Sequence, residues 1–577
     1  MSEKKMQNFD IIILGSGLAG SILATILAKH NLRVLIIDKN AHPRFAIGEA
    51  MTPDTDLMME ILSHQYSVPE IAHLSSFKNI CENISPSACG LKRSFNFIYH
   101  RQGEEQKLQE TNKLGVRPSS HLFRQDVDHY MTKVAVKYGA TLLEKTKVLD
   151  LDINSQGVKV ELEDGKKFTS EYLVDASGYN SILSRKFNLR EVPTRFKTHS
   201  RSIFTHMVGV ERYDDCVTNG TNEGDIFWYQ GTLHHIFDGG WMWVIPFNNH
   251  EKSTNQICSV GLNLDPRRFP KTDISPEQEF QNFLSNYPGV AVQFKNAKPV
   301  QNWISTDRLQ YSSHSCTGER FYLLPHATGF IDPLYSFGLV NSCTIMIPLA
   351  SLIMKAISEN DYSMENFSKV ERLQQKLLDY NDNLVNCSYI SFCNFNLWDA
   401  WRRVWGLGSF MRQAKAGFAK SLKIQAGKAE ELSKINFDDE LYRLTPSYEG
   451  LGDGFFREAT ETVEKVESGL LSPDEASEKI MSLINSIDFL PDNFCQMGDF
   501  SQKHIDIKSD WYKSEFLRFL FWIKKSPKPE VKKSFDYDMA DLLAAKSKNN
   551  IKLKLLSILY KIRQIFLNSI PKLSFNR

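Results

Sequence analysis

The chain has 577 residues, 42% hydrophobic and 24% charged, a balance that builds a globular protein with a large buried core and excludes a fibre or a disordered tail. Its 69 basic and 68 acidic side chains leave a net charge of +1, so no overall field draws it to nucleic acid or to an acidic membrane surface. Nine cysteines, an odd number without a CxxC pair, make neither a disulfide framework nor a zinc ribbon and suit a reducing compartment, the cytoplasm.

At the N-terminus lysines precede an apolar run, but Asp10 interrupts it and glycines follow where the core of a secretory signal is smooth. The stretch "FDIIILGSGLAGSILATILAKHNLRVLIIDKN" instead predicts strand, tight turn, helix and strand. Within this βαβ unit Gly15, Gly17 and Gly20, with Ser16 and Ala19 among them, form G-x-G-x-x-G. The missing side chains permit the turn, admit a pyrophosphate and let the helix close on its strand. Asp38 ends the second strand 18 residues after Gly20, where a carboxylate accepts hydrogen bonds from the hydroxyls of an adenosine ribose.

Further along, "CGLKRSFNFIYH" sets Lys92 between a glycine turn and an alternating strand, and "EYLVDASG" ends another strand on Asp175 and Gly178. The adjacent His234 and His235 have no partner at metal-ligand spacing, so no metal site is assigned. In "GGWMWVIPF", Trp241 and Trp243 alternate on an extended segment and share a face, where sheet packing is the ordinary use of such rings. "FYLLPHATGFIDPLYSFGL" runs from strand to turn to an apolar helix, Asn341 to Ile357. That helix contains Pro348 and Lys355 and falls short of the ~20 residues that span a bilayer, so burial in the protein is expected. Its start offers unpaired backbone N–H groups suited to an anion.

Three returns to one sheet suit FAD, and βαβ units must rejoin that sheet. Beyond Ser358, patterns such as "KVERLQQKLLDYNDNLVN" predict helices. Trp398, Trp401 and Trp405 fall on one helical face, either packed in the core or lining a pocket. The basic, amphipathic tail "IKLKLLSILYKIRQIFLNSIPKLSFNR" suits docking on the protein body or fraying better than contact with a membrane surface.

Together the Gly15–Gly20 turn, "GEA" at Gly48–Ala50, "GWMWVIP" at Gly240–Pro246 and "FIDPLYSFG" at Phe330–Gly338 resemble the FAD-dependent halogenases, a branch of the flavin monooxygenase superfamily. The likeness is greatest to the subgroup of pyrrolnitrin biosynthesis and extends through "HPRFAIGE", "RFKTHSRS", "DPRRFPKTD", "ERLQQKLLDYND" and "EVKKSFDYD". It implies an α/β fold, α+β overall, with a Rossmann-like FAD-binding domain of the aromatic-hydroxylase type. That domain would be discontinuous, from segments of about 1–80, 123–185 and 320–357. An antiparallel substrate region would be inserted at about 81–122 and 200–307, and residues 358–577 would form a helical C-terminal region.

The implied activity uses FADH2, O2 and chloride or bromide to halogenate an electron-rich aromatic or heteroaromatic small molecule in secondary metabolism. Reduced flavin would come from a separate NAD(P)H-dependent reductase. In such enzymes hypohalous acid forms beside the flavin and travels to the substrate. The resemblance makes Trp241 and Trp243 the wall between the two, Ser336, Phe337 and Gly338 the halide turn, and Lys92 the amine that guides the oxidant. Arg93 beside it is expected to matter less. For the cofactor it implies Gly15, Ser16, Gly17, Ala19, Gly20, Asp38, Arg44, Gly48, Glu49, Arg124, Val148, His326, Gly329, Asp332 and Pro333. Two departures stand out. Tyr335 occupies the place of a glutamate of the tryptophan halogenases, which argues against free tryptophan as substrate, and Pro325–His326 replaces the Gly-Asp of many flavin hydroxylases. An FAD-dependent aromatic hydroxylase would keep the same cofactor residues and is told apart by the tryptophan pair, the halide turn and the lysine.

Overall fold

Aliphatic runs without alternation make strands covered on both faces. Gln7–Leu14 (β1) and Val34–Ile37 (β2) are such runs; they pair in parallel and are joined by the helix Leu18–Lys29 (α1). The structure, a computed structural model, describes residues 7–217, 226–419, 452–505, 510–526, 528–529 and 531. The basic tail read above lies outside the described residues.

Around β1 and β2 grows a sheet of eight strands. Lys167–Asp175 (β8) runs parallel on the far side of β1, followed by Phe321–Leu323 (β16) and the antiparallel Thr317–Gly318 (β15). Thr141–Leu143 (β5) extends the sheet beyond β2, and the antiparallel strands Val148–Asn154 (β6) and Gly157–Leu162 (β7) join it through β8. The chain thus re-enters this sheet at residues 141–175 and 317–323.

The remaining segments build a second sheet of nine strands. They are Gly90–His100 (β3), Thr111–His121 (β4), Arg201–Val208 (β9), Thr232–Phe237 (β10), Gly240–Pro246 (β11), Cys258–Leu264 (β12), Lys298–Pro299 (β13), Ile304–Ser305 (β14) and His504–Ile505 (β17). The order is β13-β9-β12-β11-β10-β3-β4-β17, with β14 paired to β9, and all pairs are antiparallel except β10 with β3 and β17 with β4. β17 comes from the C-terminal region, whose amphipathic patterns announced only helices.

Three further helices position the site. Pro53–Gln65 (α2) begins where the Thr52 hydroxyl accepts from the Thr55 amide at 3.3 Å, with proline at the first helical position and Asp54 and Asp56 in the first turn, all favourable to a helix start. Phe337–Glu359 (α3) is long and apolar enough to cross a membrane by composition, yet 72% of its apolar stretch is buried where it packs against α1 and α2, so it serves as a core helix. Phe395–Ala419 (α4) carries the tryptophan stripe, and Trp398, Trp401 and Trp405 are all buried.

Candidate active site

The turn after β1 is built by exclusion. Gly15 has φ +102°, open to glycine, and a Cβ there would come within 2.8 Å of the Ala176 carbonyl oxygen. A Cβ on Gly20 would lie 2.2 Å from the Gly15 carbonyl oxygen, so α1 reaches its strand only without a side chain. Gly17 differs: no atom lies within 4 Å of where its Cβ would be, and it starts α1 without a side-chain cap. The first amides of α1 therefore face a cavity of about 350 Å³ lined by Gly17, Ala19 and Gly20, which suits a pyrophosphate. This open cradle is where the residues present fit FAD.

At the end of β2 Asp38 is buried and saturated. It accepts from the Ser16 amide and hydroxyl, both at 2.8 Å, from the Asn40 amide at 2.9 Å, and from both Arg44 nitrogens at 2.7 and 2.8 Å. Burial pushes the carboxyl up, but the Ser16 amide and Arg44 outweigh it and hold it below the usual range. Arg44, itself expected to contact the cofactor, thus sits on the carboxylate expected to take the ribose. Arg124 bonds Asp128 at 2.7 and 2.9 Å and donates to the Ile47 and Gly48 carbonyls at 2.7 and 3.1 Å, fixing the "GEA" turn. There Glu49 accepts from the Gly48 amide at 2.9 Å and meets His206 at 3.1 Å. Val148 lies on β6, apart from the residues that line the cavity.

The far wall of the cavity is β11. Trp241 and Trp243 point the same way, both buried, with ring centroids 5.8 Å apart. Trp243 occupies the space that a side chain on Gly261 of β12 would need, since a Cβ there would fall 2.1 Å from the indole, and its Nε1 donates to Ser259 at 3.1 Å. The Trp241 Nε1 donates to Asp332 at 3.2 Å. Asp332 also accepts from the Tyr389 hydroxyl at 2.9 Å, the Ser200 hydroxyl at 3.1 Å and the Leu334 amide at 3.0 Å. Its carboxyl, a cofactor candidate from sequence, lines the cavity while tying the wall to the turn before α3; burial raises its pKa to about 6.

In that turn Ser336 adopts a left-handed conformation (φ 57°, ψ 34°) and opens α3 without a side-chain cap. Ser336, Gly338, Pro333 and His326 line the cavity, whereas Phe337 and Gly329 border a neighbouring void of about 30 Å³. A Cβ on Gly338 would lie 2.8 Å from His326 Nε2, so the ring seals against the backbone at this point. Burial lowers the His326 pKa to about 4, which keeps it neutral. Tyr335 turns away, its hydroxyl 2.7 Å from Ser388 Oγ and its ring stacked on Trp405 at 4.9 Å.

Lys92 lies on β3, wholly buried, 3.7 Å above the Phe95 ring, and its Nζ has no hydrogen-bond partner among the described residues. Burial lowers its pKa to about 7, with Asp56 and Asp54 opposing. It does not line the cavity. The Phe95 ring links it to His234, which sequence reading set aside once no metal spacing was found. Its ring lines the cavity, lies 5.5 Å from Trp241 and stacks on Phe97 at 4.6 Å and Phe95 at 5.9 Å. The Nδ1 is 2.9 Å from the Asn96 carbonyl, which can only accept, so Nδ1 carries the proton and Nε2 the lone pair. The signal was the strand period: His234 shares a face with the tryptophans, while His235 turns to His100 and Gln293, each at 2.8 Å. Arg93, by contrast, donates to Gln230 at 2.9 Å.

Known proteins resemble this chain along most of its length. Residues 8–303 match the FAD binding domain family. The chain is 42% identical over 558 residues to monodechloroaminopyrrolnitrin halogenase PrnC of Pseudomonas fluorescens, covering 93% of this chain and 95% of that one. It is 40% identical over 544 residues to tetracycline 7-halogenase of Kitasatospora aureofaciens, covering 93% and 96%. The crystal structure of halogenase PltM with phloroglucinol and FAD superposes with a TM-score of 0.80 at 34% identity, over 86% of this chain and 99% of that one.

Proposed function

The chain belongs to the flavin-dependent halogenases, and from that membership we propose that it halogenates an electron-rich phenol- or pyrrole-type small molecule with chloride or bromide, using reduced FAD delivered by a separate NAD(P)H-dependent reductase. Bound reduced FAD, with oxygen, supplies the oxidising power that converts halide to hypohalous acid. The chain's own residues do the rest. The Gly15–Gly20 turn and the Gly48–Glu49 turn would hold the cofactor, with Asp38 at the end of β2 as the group that would meet the ribose. The Ser336–Gly338 amides hold the halide at the start of α3, where backbone N–H groups and the helix field favour an anion.

The observation that carries this reading is the amine of Lys92, wholly buried and without a hydrogen-bond partner among the described residues, over the Phe95 ring that stacks on His234 of the cavity wall. Such an arrangement would hold an aromatic substrate at the amine apart from the cofactor cavity, so that a small oxidant would have to travel between them. The substrate class follows the names of the relatives, which give monodechloroaminopyrrolnitrin and tetracycline, and the phloroglucinol held by the solved one. Tyr335, in place of an ionisable acid, fits rings that need little activation. All nine cysteines are free thiols, which supports a cytoplasmic location.

The test supplies a flavin reductase, NADH, chloride or bromide, and a panel of phenols and pyrroles. Products carrying the isotope pattern of one added halogen are expected by mass spectrometry. Oxygen insertion without halogen would overturn the reading.

A further inference from the structure

The β3–β4 ladder sets Ser119 across from Lys92, at a bulge between Lys92 and Ser94. A bridge between Ala50 and His121, and the Met51 amide donating to the Ser120 carbonyl at 2.9 Å, bring the start of α2 to this end of β4. The first turn of α2 therefore delivers two buried carboxylates, Asp54 and Asp56, beside the dry amine. Asp54 already has a cation. Its Oδ2 accepts from Arg412 Nε of α4 at 2.8 Å, and that guanidinium lies 4.8 Å from the ring of Phe337 in the halide turn.

Asp56 has none. It stands beside Ser119, its Oδ1 has no hydrogen-bond partner among the described residues, and the cation whose charge reaches it is Lys92. A buried carboxyl helped only by Ser119 and a buried amine without a hydrogen-bond partner among the described residues each cost free energy that the fold tolerates. Natural proteins accept such a cost chiefly where the groups work.

We propose that Asp56 is the carboxyl partner of Lys92, a positioning residue that exchanges a proton with this amine during halogen transfer; the inference rests on the halogenase reading above. As the oxygen–halogen bond of hypohalous acid breaks and the carbon–halogen bond forms, one proton leaves the pair for the departing oxygen. The proton shed by the ring carbon replaces it. An aromatic C–H and HOX thus become C–X and water, and the Lys92–Asp56 pair returns unchanged. Burial raises the Asp56 carboxyl well above the usual range and lowers the Lys92 amine, so their proton affinities approach each other, as exchange requires. The other groups facing the pair are Asp54 and Glu60 of α2, His121 of β4 and His234 of β10, and burial keeps both histidines neutral.

The experiment compares the parent with Asp56→Asn and Asp56→Glu, using bromide and the panel phenol or pyrrole that the parent brominates fastest. Monochlorodimedone, with no substrate present, traps the hypobromous acid that each enzyme releases. In Asp56→Asn, brominated product should fall at least about ten-fold while trapped hypobromous acid and FAD affinity stay within about two-fold. Asp56→Glu should restore product to within about three-fold and move the pH optimum by at least about half a unit. Asp56→Asn product within about two-fold of the parent, or a restored Asp56→Glu with an unmoved pH profile, would overturn the pairing. Should Asp56→Asn fail to bind FAD, the Asp56→Glu profile decides alone. A parent that yields neither trapped oxidant nor product would instead count against the halogenase reading.

Discussion

Trp241 donates its indole N–H to Asp332, 3.2 Å away, across 91 positions of sequence. One bond thereby fastens the middle of the second sheet to the turn that opens α3, so the wall and the candidate halide site move as one body. Tyr389 and Ser200 hold the other carboxylate oxygen, at 2.9 and 3.1 Å.

Removing only that bond tests the linkage. Trp241→Phe keeps an aromatic ring in the wall but leaves the carboxylate with one donor fewer. We expect a stability loss of about 1–2 kcal/mol from urea unfolding. Halogenated product per reduced FAD should fall by at least about three-fold as oxidant escapes. Trp243→Phe is the control, because its indole donates to Ser259 instead; its yield should fall less. Equal yields from the parent and Trp241→Phe would show that the wall needs no anchor.

The glycine turn separates folding from binding. At Gly17 an added methyl meets no atom within 4 Å, so Gly17→Ala should fold with stability within about 1 kcal/mol of the parent yet bind FAD at least about ten-fold more weakly. At Gly20 the same methyl would lie 2.2 Å from a backbone oxygen, so Gly20→Ala should lose stability and cofactor together. Flavin fluorescence titration and thermal unfolding read the two outcomes. Tight FAD binding by Gly17→Ala would remove the pyrophosphate from the start of α1.

Gly338 gives a similar contrast at the halide turn. Alanine inside a helix is worth up to about 1 kcal/mol over glycine, but here its methyl would stand 2.8 Å from His326 Nε2 and push the ring out of the seal. Gly338→Ala should melt within about 3 °C of the parent while oxidising bromide at least about ten-fold more slowly in the trapping assay. Unchanged oxidation would place the halide elsewhere.

What the sequence made legible follows from the range of the forces involved. The Gly15–Gly20 turn and the shared face of Trp241 and Trp243 are set by neighbours within a few residues, and local spacing displayed them. Asp332 could be placed near the cofactor but not bonded to Trp241, Tyr389 and Ser200, because those partners lie 91, 57 and 132 positions away. His234 was missed because it was tested only as a metal ligand. Its value comes from Phe95 and Phe97 on a strand that pairs with β10 in parallel, a pairing that no local pattern declares. The tryptophan stripe offered two readings, and its contacts are those of core packing, since none of the three lines the cavity. Trp401 donates to the Leu384 carbonyl at 3.1 Å in the core, while Trp405 spans from Tyr335 to Phe95, at 4.9 and 5.1 Å. Asp54 and Asp56 drew no reading from the sequence, because acidic residues are ordinary in the first turn of a helix; the bridge from Ala50 to His121 reveals that this turn faces Lys92.

Burying the Lys92 amine carries a cost, and that cost has a pH signature. Burial lowers its pKa from 10.5 to about 7, with Asp56 and Asp54 offsetting only part. Below pH 7 the amine is protonated in folded and unfolded chains alike, so the whole penalty of burying the charge applies. As pH rises through the window up to the unfolded value near 10.4, the unfolded chain holds more protons than the folded one, and stability increases. Linkage at about 1.4 kcal/mol per pH unit makes this gain on the order of 3 kcal/mol between pH 7 and pH 9. Lys92→Met keeps an unbranched side chain and removes the charge, so it should exceed the parent in stability at pH 7, lose most of that advantage by pH 10, and yield no halogenated product. Urea midpoints across this range read the difference. An advantage that does not vary with pH would mean that water reaches the amine, and an amine in water could not be the end of a closed passage from the cavity.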